Sequence, residues 1–238
     1  DQAEYLAGKY HVVVTNPPYM GNSHMGTYLK TFIEGNFKEY KYDLFSAFFI
    51  RCCDLADTKG YLGFMSPYVW MFISSYENLR RTFIEKKTIT SLAQLEYSAF
   101  ADATVPLCLF TLKNVHENNK GVYFRLTEFT GGMEVQDKKI LEAISNHDCG
   151  YYYEVSADQF EKIPGNPIAY WASTNAFNAF HNNPLSNYGI AKSGLQTGNN
   201  DLYLKYWYEV IYSKIAFCMK TKREFLNSRL KWVPQIIG

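Results

Sequence analysis

The chain has 238 residues, a net charge of +1 and an ordinary globular balance of 47% hydrophobic and 20% charged residues. This composition excludes an intrinsically disordered chain, and the near-neutral charge lacks the overall basicity that marks many nucleic-acid-binding proteins. Five cysteines without a C-x-x-C pair and five scattered histidines predict reduced thiols, no disulfide framework and no metal site. Because no signal peptide and no apolar run of about 18 residues are found, we expect a cytoplasmic protein with no membrane partner.

Alternation of apolar patterns along the first 150 residues predicts an α/β domain. The predicted elements are, in chain order, a buried strand at 12–14, helices at 25–39 and 43–56, a strand at 61–65, a helix from a Ser74–Glu77 capping box to about Glu85, strands at 89–95, 105–112 and 122–126, and a polar helix at 134–146. The helix at 43–56 is expected to bury Leu44, Phe48, Cys52 and Leu55 on one face, which Phe45 and Phe49 broaden.

This element order is typical of the second half of a doubly wound sheet that ends in an antiparallel hairpin. The strand at 105–112 is apolar on both faces and is therefore expected to be central, with 122–126 pairing beside it. Residues 160–200 are rich in Asn, Pro, Gly and Ser. We therefore place a domain boundary near residue 150 and predict a mixed α+β region over 151–238.

Charge is unevenly distributed along the chain. Residues 1–191 carry 16 Lys/Arg and 20 Asp/Glu, whereas residues 192–238 carry 8 Lys/Arg and 3 Asp/Glu. The basic segment is interleaved with aromatic residues, and its candidate DNA-binding residues are Lys220, Lys222, Arg223, Arg229 and Lys231. Such a segment can follow a phosphate backbone. The pattern taken alone favours the alternative, a solvated helix face.

The segment Asn16-Pro17-Pro18-Tyr19, at the carboxyl end of the first predicted strand, is the most informative feature of the sequence. Ligands of open α/β sheets lie at the carboxyl ends of strands. The amino group of adenine is a poor nucleophile because its lone pair is delocalised into the ring, and two acceptors that hold its hydrogens would localise that pair. The Asn16 side-chain oxygen and the Pro17 carbonyl, held at a fixed angle by the proline ring, are the predicted acceptors. The pattern therefore favours methyl transfer to an exocyclic amine.

Tyr19 offers a flat face on which a base can stack, an interaction worth about 1–3 kcal/mol per base. Such a reaction needs neither a nucleophilic side chain nor a metal ion, because the enzyme mainly holds the amine and the methyl sulfonium in line. The alternative interpretation is a proline-rich strand exit with a packed tyrosine. The position directly after Val12-Val13-Val14 favours the functional interpretation.

With these motifs, the sequence resembles the adenine-specific DNA methyltransferases of the gamma arrangement over nearly its whole length. Among them it is most similar to the type IIG restriction–modification and BREX phage-defence (PglX-like) enzymes. The segments that carry the resemblance are Val12–Gly21 (V-V-V-T-N-P-P-Y-M-G), Asp43–Phe45, Gly60–Pro67, Phe100–Val105, Ser193–Asn200 with Trp207, and Lys231–Pro234. The resemblance implies the C-terminal part of a Rossmann-like, S-adenosylmethionine-dependent methyltransferase domain over 1–150 and the start of a target-recognition region over 151–238.

By this resemblance, Asn16, Pro17 and Tyr19 are catalytic, and Pro18 and Phe100 bind the flipped adenine. Phe100 would close the pocket opposite Tyr19, although it also fits a core aromatic. Double-stranded DNA and S-adenosylmethionine are the implied partners. The segment 193–200 would contact the DNA backbone, although its two glycines also fit an ordinary loop.

One departure from the family concerns the cofactor. The family binds S-adenosylmethionine through a glycine-rich loop and an acidic residue upstream of the N-P-P-Y strand, and only about fifteen residues precede Asn16 here. We therefore expect a piece of a longer enzyme that lacks most of the cofactor site. Two alternatives stay open: a methyltransferase acting on a protein glutamine or an RNA base, and a non-catalytic DNA-binding or specificity fragment. The about 220 residues after Tyr19 exceed what a small protein-directed enzyme needs.

Overall fold

The computed structural model describes residues 2–97, 99, 105–180, 182–190 and 198–234. The strands are β1 (Tyr10–Thr15), β2 (Ala56–Pro67), β3 (Thr88–Gln94), β4 (Leu107–Lys113), β5 (Lys120–Arg125) and β6 (Tyr152–Ser156). The helices are α1 (Gln2–Ala7), α2 (Thr27–Asn36), α3 (Leu44–Leu55), α4 (Glu77–Lys86), α5 (Met133–Ser145), α6 (Thr174–Ala179), α7 (Asn200–Tyr203) and α8 (Lys222–Ser228). Two compact units divide the chain, residues 1–184 and 185–238.

The first unit is built on one mixed sheet with the strand order β1-β2-β4-β3-β5-β6. β1 and β2 are parallel, β4 lies antiparallel between β2 and β3, and β5 is parallel to β3. The expected α/β class and the central position of β4 are confirmed, and β4 forms an antiparallel hairpin with β3. The expected pairing of 122–126 with β4 is wrong, because β2 and β3 already occupy both edges of β4.

Helices cover the two faces of the sheet unequally. Along β4, Phe110 belongs to a large core with α3 and α4, whereas Leu107 and Leu109 lie against the cluster that contains Ala143 of α5. The large core is strongly aromatic: the ring of Phe49 lies 4.6 Å from Phe64 and 5.3 Å from Phe110. Each such side chain stabilises the fold by about 1.5–3 kcal/mol when fully buried.

Two local expectations for the helices are wrong. Phe48 is 39% exposed, because the buried face of α3 is centred on Phe45, Phe49 and Cys52. Ser74 does not cap α4: residues 74–76 form a separate 3-10 turn, and the helix begins at Glu77 without a side-chain cap.

β1 is confirmed as a strand, but its expected burial is wrong. Val12 is 60% exposed and Val14 is 74% exposed, whereas Val13 packs against the large core. In the described part of the chain β1 pairs with β2 alone, and the cluster around α5 packs on β3, β4 and β5. The β-branched pattern therefore identified the strand, while its position at the edge decides its exposure.

The compact units divide later than the boundary expected near residue 150. β6 pairs with β5 along five residues, and the ring of Tyr170 stacks on Tyr123 of β5 at 4.8 Å. Residues 151–184 therefore extend the first unit. In the second unit, Ala216 is the only described hydrophobic residue that is fully buried. None of the described helices is long and apolar enough to span a bilayer.

Candidate active site

The carboxyl ends of β1 and β2 meet at one edge of the sheet because the two strands are parallel. Thr15, the last residue of β1, pairs with Phe64, and Asn16 follows it directly. Asn16 is exposed and Pro17 is buried. The chain therefore leaves the sheet with the Asn16 side chain open to solvent and the following proline packed.

Tyr19 returns towards this strand end. Its hydroxyl donates a hydrogen bond to Asn16 Oδ1 at 2.7 Å and lies 3.4 Å from the Met65 carbonyl. An amide oxygen has two lone pairs, so a second donor can still bind Asn16 Oδ1. Burial and, to a smaller extent, Cys108 raise the pKa of Tyr19 above its usual value. The hydroxyl therefore stays a neutral donor at physiological pH.

The ring of Tyr19 packs against an aromatic residue of the core. Phe45 of α3 meets it at a centroid distance of 6.4 Å and an interplanar angle of 87°. An edge contact of this kind fixes an aromatic ring without covering both of its faces. Since the side chain is 38% exposed, it can accept a planar ligand.

A concavity of about 550 Å³ lies on the α5 face of the sheet and reaches Asn16. Val14, Met65, Leu109 and Ile140 are among its lining residues. Asn16 therefore stands at one end of a largely apolar depression, an arrangement that suits an organic ligand.

The segment after β2 is fixed by Arg80 of α4, which is 1% exposed. Its guanidinium donates to the carbonyls of Trp70 at 2.8 Å, Ile73 at 2.7 Å and Gly165 at 2.6 Å. This segment follows the carboxyl end of β2, beside the N-P-P-Y strand end. The sequence carried no signal for this role, because an arginine in a helical pattern is usually solvent-facing.

The structure leaves part of the predicted site open. Pro18 is exposed beside Tyr19. Phe100 lies outside the described residues, as do residues 193–197 of the segment 193–200.

The predicted basic residues all lie exposed in the second unit. Lys222 and Arg223 belong to α8, and Arg229 and Lys231 line a concavity of about 410 Å³ together with Lys214. The Lys231 ammonium lies 5.2 Å from the ring centroid of Trp232.

The arrangement of His, Cys, Asp and Glu side chains bears on metal binding. Within the described ranges, no group of three His, Cys, Asp or Glu side chains could hold a metal ion. All five cysteines are free thiols, as the sequence predicted.

Comparisons with known proteins identify similar proteins for this chain. Residues 2–100 match the model of the Eco57I restriction-modification methylase family. The chain is 34% identical to the adenine-specific methyltransferase PglX of Lacticaseibacillus casei (strain Zhang) over 235 residues, covering 96% of this chain and 19% of that protein. It is 35% identical to the adenine-specific methyltransferase BrxX of Escherichia coli O9:H4 (strain HS), covering 88% of this chain and 17% of that protein. The chain thus spans about a fifth of the length of these relatives.

Solved structures share the fold. A type I restriction–modification system matches with a TM-score of 0.54 and 14% identity, covering 73% of this chain and 39% of that one. The type I methyltransferase subunit of Streptococcus thermophilus matches with a TM-score of 0.51 and 16% identity, covering 68% and 37%. The chain is therefore similar over most of its length to the adenine-specific methyltransferases PglX and BrxX, and its residues 2–100 match the Eco57I restriction-modification methylase family.

Proposed function

We propose that this chain is the substrate-binding part of an enzyme that transfers a methyl group from S-adenosylmethionine to the N6 amine of a flipped adenine in double-stranded DNA. One observation supports this proposal above the others. An exposed asparagine with a remaining lone pair stands at a strand end, beside a tyrosine ring that is accessible to a base.

The residues of the chain act on the amine. One N6 hydrogen binds Asn16 Oδ1 and the other binds the Pro17 carbonyl, which draws the nitrogen towards a tetrahedral geometry and localises its lone pair. Tyr19 stacks on the purine and offsets part of the few kcal/mol needed to unstack it from the duplex. Pro18 and Phe100 complete the walls of the base pocket in this proposal.

S-adenosylmethionine supplies an electrophilic methyl group on its sulfonium. The described residues fit this cofactor only in part. Asn16 borders a depression large enough for an organic ligand, but residues 2–97 contain no G-x-G loop of the kind that the family resemblance implies. In this proposal the chain therefore supplies the residues that bind the target adenine.

The basic residues of the second unit are proposed to bind the DNA backbone. Lys220, Lys222, Arg223, Arg229 and Lys231 are exposed. In the described part of the chain none of the five forms an ion pair with an acidic side chain. DNA as the substrate also makes the cytoplasm the proposed location.

The identity of the methylated atom tests the function. The full-length protein that carries this sequence is incubated with labelled S-adenosylmethionine and double-stranded DNA, and the digested nucleosides are analysed by mass spectrometry. We expect the label in N6-methyladenine. Label in glutamine or in RNA alone would favour a different methyltransferase, and DNA binding without transfer would favour a specificity protein.

Replacing Lys222, Arg223 and Lys231 with alanine tests the DNA contacts. Each lost phosphate contact lowers the slope of log affinity against log salt by about 0.9. Three lost contacts should therefore reduce the slope by about 2.7 without changing the preferred sequence. The matched control is Lys138→Ala and Lys139→Ala on α5, which lies in the first unit. An unchanged slope in the triple variant would contradict the assignment.

A further inference from the structure

Asp43 joins the N-P-P-Y segment to helix α3. Its Oδ1 atom accepts a hydrogen bond from the Met20 amide at 3.0 Å and another from the Phe45 amide at 3.2 Å. The Leu44 amide in turn donates to the Met20 carbonyl at 3.0 Å. One carboxylate therefore caps the helix and holds the residue that directly follows Tyr19.

Further main-chain contacts join residues 21 and 22 to the turn before α3. Gly21 and Asp43 form an isolated antiparallel bridge, and the Asn22 amide donates to the Tyr42 carbonyl at 3.0 Å. These bonds fix the segment behind Tyr19 against the turn that precedes α3. Two prolines restrict the segment in front of Tyr19, so the orientation of Asn16 and Tyr19 is set from both ends.

Asp43 also acts through the helix that it caps. The Phe45 amide donates a hydrogen bond to Asp43, and the Phe45 ring makes the perpendicular contact with the Tyr19 ring at a centroid distance of 6.4 Å. Asp43 thus positions the Tyr19 ring in two ways. It holds the main chain of Met20, the residue after Tyr19, and it holds the main chain of Phe45, whose ring contacts Tyr19.

We propose that Asp43 is a positioning residue for methyl transfer, which holds Tyr19 and the Asn16–Pro17 acceptors in register by accepting from Met20 and Phe45. This inference rests on the proposed function of the site. Asp43 does not touch the substrate base. The role needs an acceptor at Oδ1 and a good helix cap, and asparagine supplies both.

The kinetic test compares Asp43→Ala with Asp43→Asn in the full-length protein. Because small displacements of reacting groups are costly, Asp43→Ala should lower kcat about 10- to 100-fold with little change in KM for DNA. Asp43→Asn should restore most of the rate. Ser173→Ala is the matched control, since the Ser173 hydroxyl caps α6 by accepting from the Ala176 amide at 3.2 Å, and its kcat should equal that of the wild type.

Two kinetic results would overturn the inference. One is a wild-type kcat in Asp43→Ala, and the other is an equal loss in Asp43→Asn and Asp43→Ala. Absence of adenine methylation by the wild type would instead contradict the proposed function. In that case hydrogen exchange of the peptide covering residues 16–22 decides the role of Asp43. Exchange should be faster in Asp43→Ala and as in the wild type in Asp43→Asn, and unchanged exchange in Asp43→Ala would overturn the inference.

Discussion

The Tyr19 hydroxyl binds Asn16 Oδ1 at 2.7 Å, the same oxygen that we propose for the target amine. The two residues are three positions apart and are separated by two prolines, which make a close approach of their side chains reproducible. In the structure the hydroxyl occupies one lone pair of the acceptor and leaves the other for a substrate.

Substitutions of Tyr19 separate its ring from its hydroxyl. Tyr19→Phe keeps the stacking surface, and we expect its methylation rate to stay within about threefold of the wild type because the remaining lone pair does not depend on the hydroxyl. Tyr19→Ala removes stacking worth about 1–3 kcal/mol, so binding of the flipped base should weaken about 5- to 150-fold. Fluorescence of 2-aminopurine at the target position measures flipping. Equal flipping by Tyr19→Ala and the wild type would show that the ring does not stack on the base.

Arg80 is expected to be the most sensitive charged residue for stability. Arg80→Ala removes the side-chain donor from the carbonyls of Trp70 and Gly165 and one of the two donors from the Ile73 carbonyl, which keeps the Tyr76 amide. The free energy of unfolding should therefore fall by about 3–5 kcal/mol. Arg81→Ala, on the exposed face of the same helix, should change it by less than about 0.5 kcal/mol. Urea unfolding followed by circular dichroism measures both. Similar midpoints for the two variants would mean that the carbonyls find other donors.

Buried thiols should make the fold sensitive to alkali. Burial raises the pKa of Cys52 to about 11 and the pKa values of Cys53 and Cys108 to about 12, from an ordinary value of 9.0. Above pH 9.0 the unfolded chain releases these protons while the folded chain keeps them, so stability present below that pH is lost as the pH rises towards 12.

Unfolding midpoints measured between pH 7 and about pH 11 under reducing conditions check this prediction. Cys53→Ala should lose less stability across this range than the wild type does, and Cys218→Ala, which removes an exposed thiol, should follow the wild-type curve. A wild-type curve that stays flat to pH 11 would contradict the burial of the three thiols.

Short sequence patterns predicted much of the fold. The β-branched run before the prolines identified β1, and the two apolar faces of 105–112 identified β4 as a central strand, because both signals reside in a few consecutive residues. The partner of β5 could not be predicted in this way. It depends on β4 being occupied at both edges, which is a property of the assembled sheet rather than of residues 120–125.

The candidate site likewise contains residues that a local motif predicts and residues whose roles depend on distant contacts. Asn16, Pro17 and Tyr19 were assigned from a contiguous motif whose chemistry is visible in the sequence. The roles of Asp43 and Arg80 depend on partners 23 and 85 residues away. An aspartate directly before an apolar helical run is a recognised helix-cap signal and could have identified half of the role of Asp43. Its bond to Met20 is visible only in the fold.

The most direct test of the central claim is the single-turnover rate of Asn16→Ala in the full-length protein on DNA that carries the recognised sequence. If Asn16 Oδ1 holds the target amine, the rate should fall about 10²- to 10³-fold, as for the loss of one preorganised hydrogen-bonding group. DNA affinity should hardly change, and Asn36→Ala, on the exposed side of α2, should react as the wild type does. A rate of methyl transfer in Asn16→Ala equal to that of the wild type would contradict the account.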